Sequence, residues 1–218
     1  TTDGRTPLFQ ASRNGHIDVV KLLLGHGANV DKARTDIGAT PLFVASQNGH
    51  ADVVKLLLRH GVDADKAKTT NGATSLFVAS QNGHADVVWL LLENNADADK
   101  AMTTDGATPL YMASQNGHTD VVQLLLEDGA DANKARTDTG STPLSMASEK
   151  GHTDVVRVLL ERGADADKAT TDIGATPLYW ASRNGHTDVM NLLLEHGADA
   201  DKAMTTNGAT PLYWASQN

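Results

Sequence analysis

GATPLYMASQNG (residues 106–117), HTDVVQLLLEDG (118–129) and ADANKARTDTG (130–140) follow one another without a break, and their reading decides the fold. In the first, Thr108 supplies a side-chain oxygen for a helix N-cap. Pro109 follows as the first helical residue, where its missing N–H costs nothing. That helix runs for about two turns and stops at Gly117, which can take the left-handed C′ conformation. In the second stretch, Asp120 stands in the first turn of another helix, where a negative charge suits the dipole. Val121, Val122, Leu124, Leu125 and Leu126 form its apolar face, and Gly129 ends it. The third stretch has no helical period and is rich in turn formers, so it reads as an extended hairpin.

The same three stretches recur along the whole chain with a period of 34 residues. All 6 prolines obey it (Pro7, Pro41, Pro109, Pro143, Pro177, Pro211), and Ser75 fills the vacant slot. Of the 19 glycines, only Gly25 falls outside three fixed positions: after the hairpin tip, after the first helix and after the second. Asn95 substitutes once at the third. Such a period marks a solenoid, in which each unit buries its apolar face only against its neighbours. The expected architecture is an all-α repeat solenoid with short β-hairpin loops. It forms a single domain over 1–218, with repeats at 1–34, 35–68, 69–102, 103–136, 137–170 and 171–204 and a partial seventh at 205–218.

The unit Thr-Pro-Leu-x-x-Ala, Gly-His-x-Asp-Val-Val-x-Leu-Leu-Leu, Gly-Ala-Asp resembles the ankyrin repeat, and the resemblance covers the whole chain. It implies an L-shaped stack with a curved wall of helix pairs and hairpins projecting at right angles. It also implies protein–protein recognition through the hairpin tips and the concave face of the first helices. Two features depart from the family pattern. The usual repeat has about 33 residues; the additional one falls between Ala28 and Gly38 and in each equivalent hairpin. The family's Thr-Pro-Leu-His loses its His, which there ties repeats together by hydrogen bonds. Phe9, Phe43, Phe77, Tyr111, Ser145, Tyr179 and Tyr213 take its place, and aromatic packing is expected to do that work.

Charge and composition narrow the partner. Net charge is −9, with 27 acids against 18 Lys and Arg, which a phosphate backbone would repel. Nucleic acid is therefore not an expected partner. No apolar run reaches the roughly 18 residues of a membrane span, and TTDGRTPLFQ at the start has no signal-peptide character. Without cysteines there is no thiolate metal site or disulfide framework, and no Asn-x-Ser/Thr sequon occurs. These features fit an intracellular protein, cytoplasmic or nuclear.

Chemistry is harder to find. His16, His50, His84, His118, His152 and His186 share one repeat position. Stacking spaces them about 10 Å apart, whereas zinc needs its ligands at about 2 Å. A structural role, pinning the entrance of the second helix to a backbone group, is preferred. The Asp-x-Asp pairs, such as Asp97 with Asp99 and Asp165 with Asp167, hint at calcium but lack an EF-hand loop. Each is followed by a lysine, which favours a solvated ladder of charge. Serines recur at one helical position, whereas catalysis needs a unique constellation. No catalytic residue, cofactor or metal is expected, and the chain is read as non-enzymatic.

Positions that break the copy are the candidates for partner contact. Beside the aromatic slot runs Gln10, Val44, Val78, Met112, Met146, Trp180, Trp214. Residues three and four apart share a helix face, so this slot lies with Arg13, Gln47, Gln81, Gln115, Glu149 and Arg183 and with the Asn14-to-Asn184 series, which holds Lys150 once. The face thus grades from polar to aromatic, and Trp and Arg are typical of binding hot spots. Met112, Met146, Glu149, Lys150, Trp180, Arg183 and Trp214 are assigned to it; the alternative is that they cover the neighbouring repeat. Ile37 and Ile173, expected to be exposed at hairpin tips, are further contact candidates. Trp89 stands where sister repeats carry polar residues, so it marks a second interface or a ring lying on its own helix.

Repeat five is the outlier. Ser145 leaves a gap where others have a ring, and Val158 replaces Leu, so its packing is expected to be the weakest. Neither end shows a polar cap, which points to a segment of a longer array. The unfinished seventh repeat is expected to expose parts of Leu192 and Leu193 and to permit end-to-end self-association. Two functions follow: a scaffold that binds another protein through the groove and tips, or a structural, self-associating spacer.

Overall fold

In the computed structural model, residues 4–202 and 204–206 are described. The chain divides into two compact units, Thr1–Thr104 and Asp105–Asn218. The first holds α1 (Pro7–Arg13), α2 (Ile17–Gly25), α3 (Pro41–Gln47), α4 (Ala51–Arg59), α5 (Ser75–Gln81) and α6 (Ala85–Leu92). The second holds α7 (Pro109–Asn116), α8 (Thr119–Glu127), α9 (Pro143–Lys150), α10 (Thr153–Glu161), α11 (Pro177–Arg183) and α12 (Thr187–Glu195). Within each unit the odd helices pack on one another as one layer and the even helices as a second.

Each helix pair is built as its sequence implies. The Thr N-cap accepts from the backbone N–H three residues on, as Thr108 Oγ1 does from Tyr111 at 3.1 Å. Ser75 opens α5 under the same cap from Thr74, so proline is dispensable there. The turn into the second helix is closed by a bond such as His50 N–H to Ala45 O at 3.0 Å. At the end of α6, Asn95 holds a left-handed conformation (φ 61°) in the place of glycine, which asparagine tolerates better than most residues.

The core lies between the two layers. Leu42, Leu76, Leu110 and Leu144 from the first helices meet Val54, Val88, Val122 and Val156 from the second, all essentially inaccessible. The linking segments are tight turns, and no strand is formed among the described residues. Arg34 N–H donates to Ala39 O at 2.9 Å and Gly38 N–H to Arg34 O at 3.0 Å, closing a four-residue tip, Thr35–Gly38. The tip carbonyl of Ile37 then accepts from Thr69 N–H of the next repeat at 3.2 Å. Thr137 to Asp105 and Thr171 to Thr139 repeat this link. A Cβ on Gly38 would come within 2.7 Å of the Thr69 nitrogen, so that glycine is required twice over, by its φ of +72° and by the close approach.

Two expectations about packing are corrected. Ser145 leaves no open gap: it is 1% exposed and saturated with hydrogen bonds. Its Oγ accepts from Thr142 N–H at 2.8 Å, pairs with Ser141 Oγ at 2.9 Å and reaches Thr142 O at 2.9 Å, while its N–H donates to Thr142 Oγ1 at 3.1 Å. This is a reciprocal capping box. Helix α10 buries Val155, Val156, Val158, Leu159 and Leu160, so repeat five is not loosely packed. Second, Leu192 and Leu193 are buried rather than exposed; Leu194 is the residue of that helix turned outward.

Candidate functional site

Within the units, four of the repeated histidines pin the second helix to the preceding repeat. His50 Nε2 lies 3.0 Å from Arg13 O, His84 Nε2 3.1 Å from Gln47 O, and His152 and His186 reach Gln115 O and Glu149 O. Because a carbonyl can only accept, each Nε2 carries the proton. These carbonyls end the first helices, where no helical partner remains for them. Gly15 leaves room for the imidazole: a Cβ there would meet His50 Nδ1 at 2.8 Å. His26, His60 and His196 instead donate from Nδ1 to the carbonyl four residues back at the end of the second helix.

The paired aspartates are also occupied with the fold. Asp65 N–H donates to Asp63 Oδ1, and Asp65 Oδ1 in turn accepts from Asp97 N–H at 3.0 Å in the next repeat. Asp167 does the same for Asp199, and Asn133 for Asp165. The following lysine reaches back, Lys66 Nζ to Asp31 O at 2.9 Å and Lys202 Nζ to Asp167 O at 2.8 Å. These side chains carry the stack from one loop to the next.

The aromatic slot is a packing device. Phe9, Phe43, Phe77, Tyr111 and Tyr179 are all buried. A group from the following hairpin lies over several rings: Arg34 over Phe9 at 5.9 Å, Lys68 over Phe43 at 5.3 Å, Arg136 over Tyr111 at 5.6 Å. Met204 packs with Tyr179 in the same way. This lid slot was missed from the sequence. The available signal was its fixed spacing from the ring and its Thr170 where the ring slot holds Ser145. Arg136 also bridges Asp105 at 3.2 Å and Asp138, and the hydrogen bond to Asp138 raises the Arg136 pKa above its ordinary value. The same bond holds the Asp138 carboxyl below its usual value, and Arg34 does the same to Asp36.

The neighbouring slot differs between the units. In the first unit Val44 and Val78 are buried and Gln10 half-buried, so this stretch mainly covers its neighbours. In the second unit Met112, Met146 and Trp180 are each half-buried, leaving apolar surface open to solvent. Trp180 stands edge-on to Tyr179, with ring centroids 5.3 Å apart and planes at 75°, and Arg183 lies over its ring at 5.6 Å. Ile173 packs against the same cluster of Ala175, Tyr179 and Met204. Lys150 Nζ reaches Glu149 Oε1 at 3.0 Å. Trp214 lies outside the described residues.

The hairpin-tip isoleucines correct an expectation. Ile37 and Ile173 are half-buried rather than exposed, because each tip packs toward the next repeat that its carbonyl binds. Trp89 is 50% exposed on α6, as its polar counterparts imply. Among the described residues no helix is long and apolar enough to cross a membrane, and no three His, Asp or Glu side chains converge on a metal position.

Family profiles for ankyrin repeats in groups of three match residues 31–102, 97–172 and 164–218, and a single-repeat profile matches 3–36. The chain is similar to the human ASB11 ankyrin repeat domain at 30% identity, with a TM-score of 0.86, over 97% of this chain and 92% of that one. It is also similar to the ankyrin repeat domain of Bcl-3, of the IkappaB protein family, at 28% identity, with a TM-score of 0.83, over 98% and 95% of the two chains. Comparison with the curated proteins gives no match. Capped helix pairs, left-handed turns and repeat-to-repeat hydrogen bonds on one period agree with these matches, and the chain belongs to the ankyrin-repeat family.

Proposed function

We propose that this chain is a non-enzymatic scaffold, a single repeat domain over 1–218, that binds a partner protein through the first-helix face of its second unit. Ankyrin-repeat domains generally mediate protein–protein interactions. The observation that carries the finer reading is Trp180, half-buried, braced on Tyr179 and covered on one side by the Arg183 guanidinium. A braced aromatic with a cation beside it presents apolar area at little entropic cost, as hot-spot residues do. Met112 and Met146 continue the apolar surface and Glu149 and Lys150 border it; Trp214 extends the slot in sequence. The partner is a protein segment with apolar side chains, and Ile37, Ile173 and Trp89 are secondary contacts.

The test compares the chain with its Trp180→Gln/Trp214→Gln variant, by circular dichroism and by capture of proteins from lysate. Gln10 already occupies this slot, so the variant should fold. Loss of a hot-spot residue costs about 2 kcal/mol, roughly thirtyfold in affinity per site. Undiminished capture of the same proteins by the folded variant would refute the groove.

The second reading is a structural, self-associating spacer. Light scattering should then show growth with concentration; a monomer at every concentration would end this reading.

A further inference from the structure

The hairpin tips at 35–38, 69–72 and 137–140 close in the same way. The residue before each tip, Arg34, Lys68 or Arg136, donates its N–H to the oxygen of Ala39, Ala73 or Ser141 at 2.9 Å and accepts from the tip glycine at 3.0 Å. Those glycines have φ of +72°, +75° and +71°. Side chains at the second tip position therefore leave the backbone from equivalent places. In two of the tips that position holds an aspartate beside an arginine lid. Arg34 Nε donates to Asp36 Oδ1 at 3.0 Å, and Arg136 Nε to Asp138 Oδ1 at 2.9 Å. Arg136 has a second carboxylate in Asp105 of the preceding tip, at 3.2 Å.

Lys68 is a lid of the same kind, with its Nζ 5.3 Å from the centre of the Phe43 ring, yet both acid positions beside it are neutral. Thr70 stands where Asp36 and Asp138 do, and Ile37 stands where Asp105 does. Among the described residues Lys68 makes no ion pair and the exposed Thr70 hydroxyl no hydrogen bond. This hairpin has complete helix pairs on either side, α3 with α4 and α5 with α6. The adjacent Thr69 is not equivalent, because it leans on the preceding tip: a Cβ on Gly38 would meet Thr69 Oγ1 at 2.9 Å. At Thr104 and Thr206, the threonines in the same tip position, the lid is Met102 or Met204. A cationic lid and a free tip hydroxyl coincide only at Thr70 among the described residues.

We propose that Thr70 is a phosphorylation site whose phosphate closes onto Lys68. A separate serine/threonine kinase transfers the γ-phosphoryl group of ATP. The bond from Thr70 Oγ1 to phosphorus forms, the bond from that phosphorus to the β,γ-bridging oxygen breaks, ADP leaves, and the hydroxyl proton passes to the kinase base. The tip must open to enter a kinase cleft. Residues 69–72 bury no apolar side chain and are held by backbone bonds such as Thr69 N–H to Ile37 O at 3.2 Å, so opening costs little. On reclosing, the reach is conserved. A phosphothreonine oxygen lies one bond further from its Cα than an aspartate oxygen, and lysine Nζ one bond nearer than the terminal nitrogens of arginine. The phosphate thus takes the place that Asp36 and Asp138 hold beside their arginines, in a charge-assisted hydrogen bond. Modification adds about −1.5 to −2 of charge to this tip and fastens the lid over Phe43. The proposal does not depend on the binding face of the second unit.

The test incubates the intact chain with ATP, magnesium and each of a panel of purified serine/threonine kinases, and maps the product by mass spectrometry. Thr70 should be the first residue phosphorylated, ahead of Thr69 and Thr104, and Thr70→Ala should remove the singly phosphorylated species. No phosphate on Thr70 from any of the kinases would overturn the site. Closure onto Lys68 is read separately, with phosphothreonine placed at residue 70 during translation and its phosphorus resonance followed against pH. The cation favours the dianion, so the titration midpoint should lie roughly 0.2–0.7 pH unit below that of the Lys68→Met chain, the range an exposed ion pair commands. Met102 already serves as a lid, so that variant should fold, which circular dichroism checks. Equal midpoints in the two folded chains would overturn the closure.

Discussion

Repeats four and five fill one buried slot in opposite ways. In repeat four Tyr111 occupies it, with Arg136 over the ring and Asp105 and Asp138 holding the guanidinium. In repeat five Ser145 occupies it, bonded to Thr142 and Ser141, and the lid is Thr170, whose hydroxyl accepts from Ala175 N–H at 3.2 Å in its own hairpin. Both side chains are 1% exposed. The slot therefore does not demand a ring; it demands that slot and lid agree. A large apolar group needs a lid that covers it, and a small polar one needs every hydrogen-bonding atom met.

The largest effect should come from transplanting one half of one solution. Tyr111→Ser removes a buried ring while Arg136 stays as its lid, and should cost roughly 3–5 kcal/mol, read from the urea midpoint. A loss below about 1 kcal/mol would mean that the lid collapses into the space. The converse change, Ser145→Tyr, forces a ring against Thr170 and strips Ser141 and Thr142 of their partner. It should lower stability by about 1–3 kcal/mol, and a raised midpoint would restore the view of Ser145 as a gap.

The smallest effect concerns the lid's charge. Arg136→Met keeps apolar cover and gives up the ion pairs, and should cost about 1 kcal/mol or less, since the pairs are partly solvated. Its pH dependence follows from Asp138, whose folded pKa is depressed by the Arg136 hydrogen bond. A depressed carboxylate contributes fully above its ordinary pKa, and that contribution fades as pH falls through the lower folded value. The difference between wild type and Arg136→Met should hold at neutral pH and shrink in acid. A difference that grows in acid would contradict the assignment of the pair.

Much of this was legible because the chain repeats itself. Thr108 and Pro109 announce a helix start wherever they recur, and Gly117 and Gly129 announce its ends. The assignment of Met112, Met146 and Trp180 to one face also follows from helical periodicity. Less legible were the partners across repeats. Nothing local to His50 names Arg13 O, and nothing local to Asp65 names Asp97 N–H, since both bonds form only when repeats stack. Ile37 looked like an exposed tip because its neighbours in sequence are turn formers, yet its tip packs toward the next repeat.

By itself the sequence determined the period, the position of each helix and its caps, and the membership of the chain in a repeat family. Those depend on backbone preferences and apolar spacing within a single unit. The tertiary structure decided how each slot is satisfied: a ring under a cation, a serine inside a capping box, or an asparagine tied to its own helix or to the preceding repeat. Asn48 and Asn82 make the division plain: both stand in VASQNGH, yet Asn48 Nδ2 bonds Val44 O of its own helix and Asn82 Nδ2 bonds Gln47 O of the preceding repeat. Local sequence sets conformation through short-range sterics and capping, whereas the partner of a side chain is set by what the neighbouring repeat brings within hydrogen-bonding reach.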